Sequence, residues 1–232
     1  MKTLLKTAAL AATLLCALPA AAQSCRDTVV LVHGNTGGPN DWANTVTELK
    51  RRGYSDAQIS RPSWGSKTCA ACNDHSGSEE TPVLNALVNA IAASCTGKVD
   101  VIGHSMGGTL AGRVIQRNGL RPYVRSFVGV AGAFRGLWSC GAYPFNVVTS
   151  TCGASGLSVG SPFLNGLSGT RFGDRVHSIK SFYDQIVCGT GVCTVGGVHS
   201  SSIWSENSSA TYAFGHFGLL QYTAVKQVDL IQ

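Results

Sequence analysis

Charge is what this chain has least of. Only 13% of its 232 residues are Asp, Glu, Lys or Arg, against about 25% in ordinary soluble domains. Apolar residues stand at 44%. That combination excludes an intrinsically disordered chain, which lacks the apolar surface needed to offset the entropy of ordering. The formal charge is +6, and apart from Lys50-Arg51-Arg52 the basic residues are scattered. A basic face is therefore not expected, and neither is a nucleic-acid partner. Internal repeats are lacking, and no Pro- or Ser-rich linker divides residues 24–232. The expectation is one compact globular domain over residues 23–232.

Long apolar runs are lacking too. The longest, Thr7 to Leu18, falls short of the roughly 20 residues that a bilayer-crossing helix needs. It follows the basic start Met1-Lys-Thr-Leu-Leu-Lys6 and is followed by Pro19 and Ala20-Ala21-Ala22. A basic start, a short apolar core and small residues at the cut are the marks of a secretory signal peptide, here residues 1–22. Thr13-Leu14-Leu15 lacks the small residues expected before a lipidated cysteine, which disfavours Cys16 as an anchor. The expected destination is the extracellular medium or the periplasm.

Of nine cysteines, those beyond the signal peptide are Cys25, Cys69, Cys72, Cys95, Cys140, Cys152, Cys188 and Cys193. An even number in an exported chain suggests disulfides. Spacing nominates Cys140 with Cys152 and Cys188 with Cys193, each closing a loop that contains glycine. Cys69 and Cys72 form a C-x-x-C, but no second C-x-x-C and no H-x-x-x-H follows at zinc spacing. A structural disulfide is expected there rather than a metal or redox site.

The remaining apolar runs are short, β-branched and continuous: Thr28 to Val32, Val99 to Ile102 and Val124 to Val130. Strands covered on both faces read this way, as in a parallel sheet. Helical patterns lie between them, over Asp41 to Arg52, Thr81 to Ser94 and Met106 to Asn118, and Leu219-Leu220 marks a last helix. The alternation predicts a doubly wound α/β architecture, a mostly parallel sheet with helices on both faces. Leu137 to Gly173 reads as long loops, and Ser178 to Tyr183 and Ser200 to Trp204 as weaker strands.

Gly103-His-Ser-Met-Gly107 follows the Val99 run and opens a helix. This is G-x-S-x-G in the strand–turn–helix context that lifts a serine clear of a sheet, next to the free N–H groups of a helix N-terminus. A serine hydroxyl needs a base to take its proton. In the order nucleophile, acid, base, the histidines left are His199 and His216, and His216 is preferred because it sits in a loop before the last helix. His33 suits a loop-shaping role, and His104, inside the turn, points away from the serine. Candidate acids between Ser105 and His216 are Asp174, Asp184 and Glu206. Asp184, at the end of an apolar-aromatic run, is preferred to hold the imidazole in its tautomer. The backbone N–H groups of Asn35, in the loop after the first strand, and of Met106, after the serine, are the candidate oxyanion donors.

These motifs, V-H-G-x-x-G from Val32, K-V-D-V-I-G-H-S-M-G-G from Lys98, S-x-x-D-x-I-V from Ser181 and G-H-x-G-L-L from Gly215, run in order through nearly all of the expected mature chain. Together they resemble the small secreted bacterial lipases of class 2, in the α/β-hydrolase superfamily, close to the minimal lidless triacylglycerol lipases. The resemblance implies a compact α/β-hydrolase fold, a Ser105–Asp184–His216 triad, oxyanion donors at Asn35 and Met106, and ester hydrolysis without metal or organic cofactor. A lipid or ester substrate with transient contact at a lipid interface is expected, and nothing in the sequence demands more than a monomer. The chain departs from those lipases in its cysteines and in longer stretches around residues 61–80 and 134–172. Two other readings compete: a polyhydroxyalkanoate depolymerase that would dock its polymer on exposed aromatics among Trp42, Trp64, Phe134 and Trp138, although Trp and Phe are more often packed inside, and a non-catalytic binding module on a hydrolase scaffold.

Overall fold

A computed structural model describes residues 26–232. The signal peptide read over residues 1–22, and Cys25, lie outside the described residues. In chain order the elements are β1 (Thr28–Val32), α1 (Ala43–Arg51), β2 (Ile59–Ser60), α2 (Glu80–Ala93), β3 (Val99–His104), α3 (Met106–Arg117), β4 (Val124–Val130), β5 (Leu137–Ala142), β6 (Ser158–Val159), α4 (Pro162–Leu167), β7 (Arg175–Lys180), β8 (Thr194–Val195), β9 (Val198–His199), β10 (Ser208–Thr211), α5 (His216–Tyr222) and α6 (Ala224–Asp229).

Six strands form one sheet in the order β10-β7-β4-β3-β1-β2, and each pairing in it is parallel. The continuous apolar runs are β1, β3 and β4, and both of their faces are covered. In β1, Val30 and Val32 pack with Val83 and Leu87 of α2 and Leu110 and Val114 of α3. Val29 and Leu31, pointing the other way, pack with Leu49 of α1, Leu219 of α5 and Val228 of α6. Successive side chains alternate across a strand, so a run apolar at every position needs helices on both sides.

The three helices predicted with bounds stand within two residues at each end, because their apolar stripes set them; Leu219-Leu220 lies in α5, which α6 follows, so it does not mark the last helix. The stretch Leu137 to Gly173 differs from its reading as loops. It holds β5 and β6, which pair in parallel, and α4, whose cap is the Ser161 hydroxyl accepting from Leu164 N at 3.2 Å. Pro162 sits in the first turn of α4, and Phe163, Leu164 and Leu167 are buried. A serine cap before proline is a helix start, masked here by the surrounding glycines. Ser200 to Trp204 is not a strand: Lys180 donates to the Ser202 hydroxyl at 2.7 Å, and the edge strand is β10 instead. Strand β7 ends four residues before Asp184, which leaves that acid on a loop.

Three disulfides join described residues: Cys69–Cys72, Cys140–Cys152 and Cys188–Cys193. Cys95 is disulfide-bonded as well. Such bonds fit an exported protein. Among the described residues no helix is long and apolar enough to cross a membrane.

Candidate active site

Ser105 occupies the single position between β3 and α3, at φ 53° and ψ −132°. A non-glycine residue there carries about 1–3 kcal/mol of backbone strain, held by its surroundings. The hold is visible. Ser105 N–H donates to Val130 O of β4 at 2.8 Å, and Gly108 N–H donates to Ser105 O at 3.0 Å. The flanking glycines are required by close approach. A Cβ on Gly103 would stand 2.4 Å from Gly108 Cα, and one on Gly107 would stand 2.0 Å from His33 O. The start of α3 therefore lies directly on the end of β1, which sets the loop Gly34–Gly38 beside Ser105.

Asp184 is fully buried. Its Oδ1 accepts from Ile186 N–H and Val187 N–H, each at 2.9 Å. His216 Nδ1 lies 2.9 Å from Oδ1 and 2.8 Å from Oδ2. Burial alone would raise this carboxyl, but the hydrogen bond and charge of His216 and the two backbone donors outweigh it and hold Asp184 below its usual value. An ionised carboxylate can only accept, so Nδ1 of His216 carries the proton and Nε2 is left with its lone pair. His216 is not in a loop, as its glycine neighbours suggested, but is the first residue of α5. Its own N–H donates to Gln185 Oε1 at 2.9 Å.

Ser105 and His216 line one cavity of about 400 Å³, together with Gly34, Asn35, Ile186 and Phe217. Asn35 sits in the turn closed by Gly37 N–H on Gly34 O at 3.1 Å. Met106 is the buried first residue of α3, where backbone N–H groups lack intrahelical acceptors. Of the five residues singled out in the sequence, Asn35 follows β1, Ser105 and Met106 stand where β3 meets α3, Asp184 lies on the loop beyond β7, and His216 opens α5.

The competing candidates sit elsewhere or are already engaged. His199 Nε2 donates to Ser181 O at 3.0 Å and its Nδ1 accepts from Ser201 N–H at 3.1 Å. Asp174 is ion-paired with Lys98 and reaches Arg121 at 4.0 Å. Glu206 accepts from Ile203 N–H at 3.1 Å. Cys188, Cys193 and His199 gather within 4.8 Å, but the two sulfurs are already joined.

His104 was misjudged by its place in the turn. Its ring lines the cavity and packs against the His216 ring at 4.8 Å. Burial first, and the His216 charge second, push it down to about 3, so it is a neutral wall behind the imidazole. Of the aromatics offered for docking a polymer, Trp42, Trp64 and Phe134 are core residues at 0%, 3% and 0% exposure, whereas Trp138 is exposed at 38% and donates through Nε1 to Thr194 O at 2.8 Å. Four of the exposed apolar residues, Phe182, Tyr183, Ile186 and Phe217, stand next to the acid and the base in sequence. Two of them, Ile186 and Phe217, line the cavity. Their adjacency to Asp184 and His216 was the available signal.

Comparison with known proteins bears on the fold and the family. The fold resembles that of a Bacillus licheniformis lipase in its mature form, with a TM-score of 0.65 at 13% identity over 90% of this chain and 93% of that one. It also resembles lipase B of Aspergillus fumigatus, with a TM-score of 0.60 at 19% identity over 84% of this chain and 49% of that one. At such identities the likeness is one of fold, the α/β hydrolase. A curated 2-hydroxy-6-oxononadienedioate/2-hydroxy-6-oxononatrienedioate hydrolase of Dechloromonas aromatica is 33% identical over 85 residues, which is 35% of this chain and 28% of that protein. The chain therefore spans about half of the Aspergillus enzyme and less than a third of the Dechloromonas one. The family described as Lipase (class 2) matches residues 26–229. With nearly all of its described residues inside that match, the chain belongs to the class 2 lipase family.

Proposed function

We propose that this protein is an exported serine ester hydrolase that cleaves the carboxylic esters of lipids, triacylglycerols foremost, through an acyl-enzyme. The observation that carries the reading is the shared cavity. Ser105 sits at its strained turn, and His216, its Nδ1 engaged by buried Asp184, lines the same wall. In the proposed cycle His216 Nε2 takes the Ser105 proton as the hydroxyl oxygen attacks the ester carbonyl. The N–H groups of Asn35 and Met106 receive the oxyanion. The alcohol departs with the proton from His216, and a water activated by the same nitrogen releases the acid. Asp184 stays ionised throughout and stabilises the imidazolium.

The exposed Ile186 and Phe217 in the cavity wall favour a lipid substrate over a small polar ester. Apolar side chains at a cavity mouth gain by contact with an acyl chain or a lipid surface, about 25 cal/mol per Å² removed from water. The polyester alternative loses its main support with the burial of Trp42, Trp64 and Phe134. The test is initial rates on p-nitrophenyl esters from acetate to palmitate, beside emulsified triglyceride and a polyhydroxyalkanoate film, with Ser105→Ala as blank. Serine-dependent cleavage of triglyceride and long-chain esters is expected. Cleavage confined to short esters or to the film overturns the lipid assignment, and rates unaffected by Ser105→Ala overturn the nucleophile.

A further inference from the structure

The loop that carries Asn35 is poorly suited to hold itself. Gly34, Gly37 and Gly38 lie within it, and Thr36 sits at φ 56°. A backbone donor for an oxyanion must nonetheless be kept within about half an ångström of its productive place. The segment 64–73 supplies what the loop lacks. This is part of the stretch in which the chain departs from the minimal lipases it resembles.

Two sets of contacts join segment and loop. In the first, both ends of the Asn35 amide are held: Nδ2 donates to Ala70 O at 2.9 Å, and Oδ1 accepts from Asn73 Nδ2 at 2.6 Å. Asn73 is 1% exposed and is itself fixed. Its Oδ1 accepts from Ser66 N–H at 2.6 Å, its Nδ2 donates to Ser66 O at 3.0 Å, and its carbonyl accepts from the Thr151 hydroxyl at 2.6 Å. The Cys69–Cys72 disulfide spans the gap between those two anchors. Gly65 is needed here, because a Cβ on it would stand 2.7 Å from Asn73 Oδ1.

The second set holds the start of the loop. His33 Nδ1 donates to Gly34 O at 2.7 Å. That leaves Nε2 as an acceptor, and it takes Trp64 N–H at 3.2 Å and the Lys67 ammonium at 3.0 Å. Trp64 Nε1 returns a bond to His33 O at 2.9 Å, and the two rings stack at 5.2 Å. Burial pushes His33 down to about 4, which agrees with a neutral ring in that tautomer.

We propose that the segment 64–73, which contains the Cys69–Cys72 disulfide, is a positioning element for the oxyanion loop, and that Asn73 is the positioning residue that fixes Asn35. The inference rests on the ester-hydrolase reading above. Asn73 touches no substrate in this account; it acts through the Asn35 side chain on the direction of the Asn35 N–H. Its loss therefore weakens transition-state stabilisation and leaves ground-state binding in place.

The test measures kcat and KM separately on soluble p-nitrophenyl butyrate for Asn35→Ala, Asn73→Ala and the double variant, with melting temperatures recorded for each. Each single variant should lower kcat by about 10-fold to 100-fold, with KM unchanged. The double variant should be no slower than the slower single, because both remove the shared Asn35–Asn73 hydrogen bond. Should Asn73→Ala fail to fold, Asn35→Ala carries the test, since Asn35 is only half-buried. A folded Asn35→Ala with wild-type kcat, or losses that multiply in the double variant, overturns the proposal. Ser105→Ala, assayed alongside, separates the layers. If it is inactive while Asn35→Ala is unimpaired, only the positioning role falls; if it retains activity, the reading beneath it falls first.

Discussion

Replacing Asp184 by asparagine changes one atom and should silence the enzyme without unfolding it. Both backbone donors, Ile186 N–H and Val187 N–H, point at Oδ1 of Asp184. An asparagine would keep its oxygen there to avoid leaving two buried N–H groups unpaired, at about 1–3 kcal/mol each. Its amide nitrogen is then forced onto the other position, 2.8 Å from His216 Nδ1 in the native protein. Two N–H groups repel at that distance, and although Oδ1 stands 2.9 Å from Nδ1 it already accepts from Ile186 and Val187, so the balance shifts to the tautomer with Nδ1 as acceptor and the proton on Nε2. His216 is then in the wrong tautomer to take a proton from Ser105. The analogous change in a serine protease triad lowers kcat about 10⁴-fold, and about 10³-fold to 10⁴-fold is expected here. The fold should survive, since the oxygen's bonds are kept. The assay is kcat on p-nitrophenyl butyrate beside urea unfolding. A kcat within tenfold of wild type, with the variant folded, would refute the tautomer argument.

Four further outcomes follow from the same contacts. His216→Ala should abolish turnover as Ser105→Ala does, whereas His199→Ala, whose ring serves backbone groups at 3.0 and 3.1 Å, should keep kcat within a few-fold. Equal losses in both would undo the choice of base. Gly107→Ala, which sets a methyl 2.0 Å from His33 O, should destabilise by about 3 kcal/mol and lower activity; urea midpoints and rates equal to wild type would show that β1 and α3 do not meet as described. The Asp184 carboxyl is held below its ordinary value of 3.8. Its ionised form therefore adds stability above about pH 4 that is lost as pH falls through its native value. Urea midpoints measured downward from about pH 5 should drop more steeply in wild type than in Asp184→Asn, and parallel curves would count against the shift. Removing the Cys140–Cys152 bond by paired serine substitutions should cost about 2–5 kcal/mol, read as a lower melting temperature.

The parts of this molecule written in local chemistry were legible in the sequence. Strands β1, β3 and β4 announce themselves because they are buried on both faces, and burial demands an unbroken apolar run. The turn at Ser105 is legible because only glycine tolerates the approach of Gly103 to Gly108 and of Gly107 to His33. Asp184 and His216 were reached by chain order and apolar context, and the structure brings their side chains together. What escaped depends on partners distant in sequence. Helix α4 was hidden among glycines, and only packing against the core makes its Phe163 and Leu167 informative. Edge strand β10 is Ser208–Thr211, largely exposed and mostly polar, so it carries no apolar signal. Trp42, Trp64 and Phe134 looked like a docking surface because aromatic residues read alike whether they are buried or exposed. His104 was placed by its position in a turn, but its role comes from an imidazole more than a hundred residues away. The 64–73 segment gave only a C-x-x-C, whereas its meaning lies in hydrogen bonds to Asn35 and Thr151.

The central claim is that Ser105 becomes acylated during turnover, and covalent labelling tests it most directly. Treating the purified protein with a p-nitrophenyl phosphonate and mapping the adduct by mass spectrometry should give one label per chain, on Ser105, rising in step with loss of ester hydrolysis. A label on another residue, or full activity with Ser105 unmodified, would contradict the account.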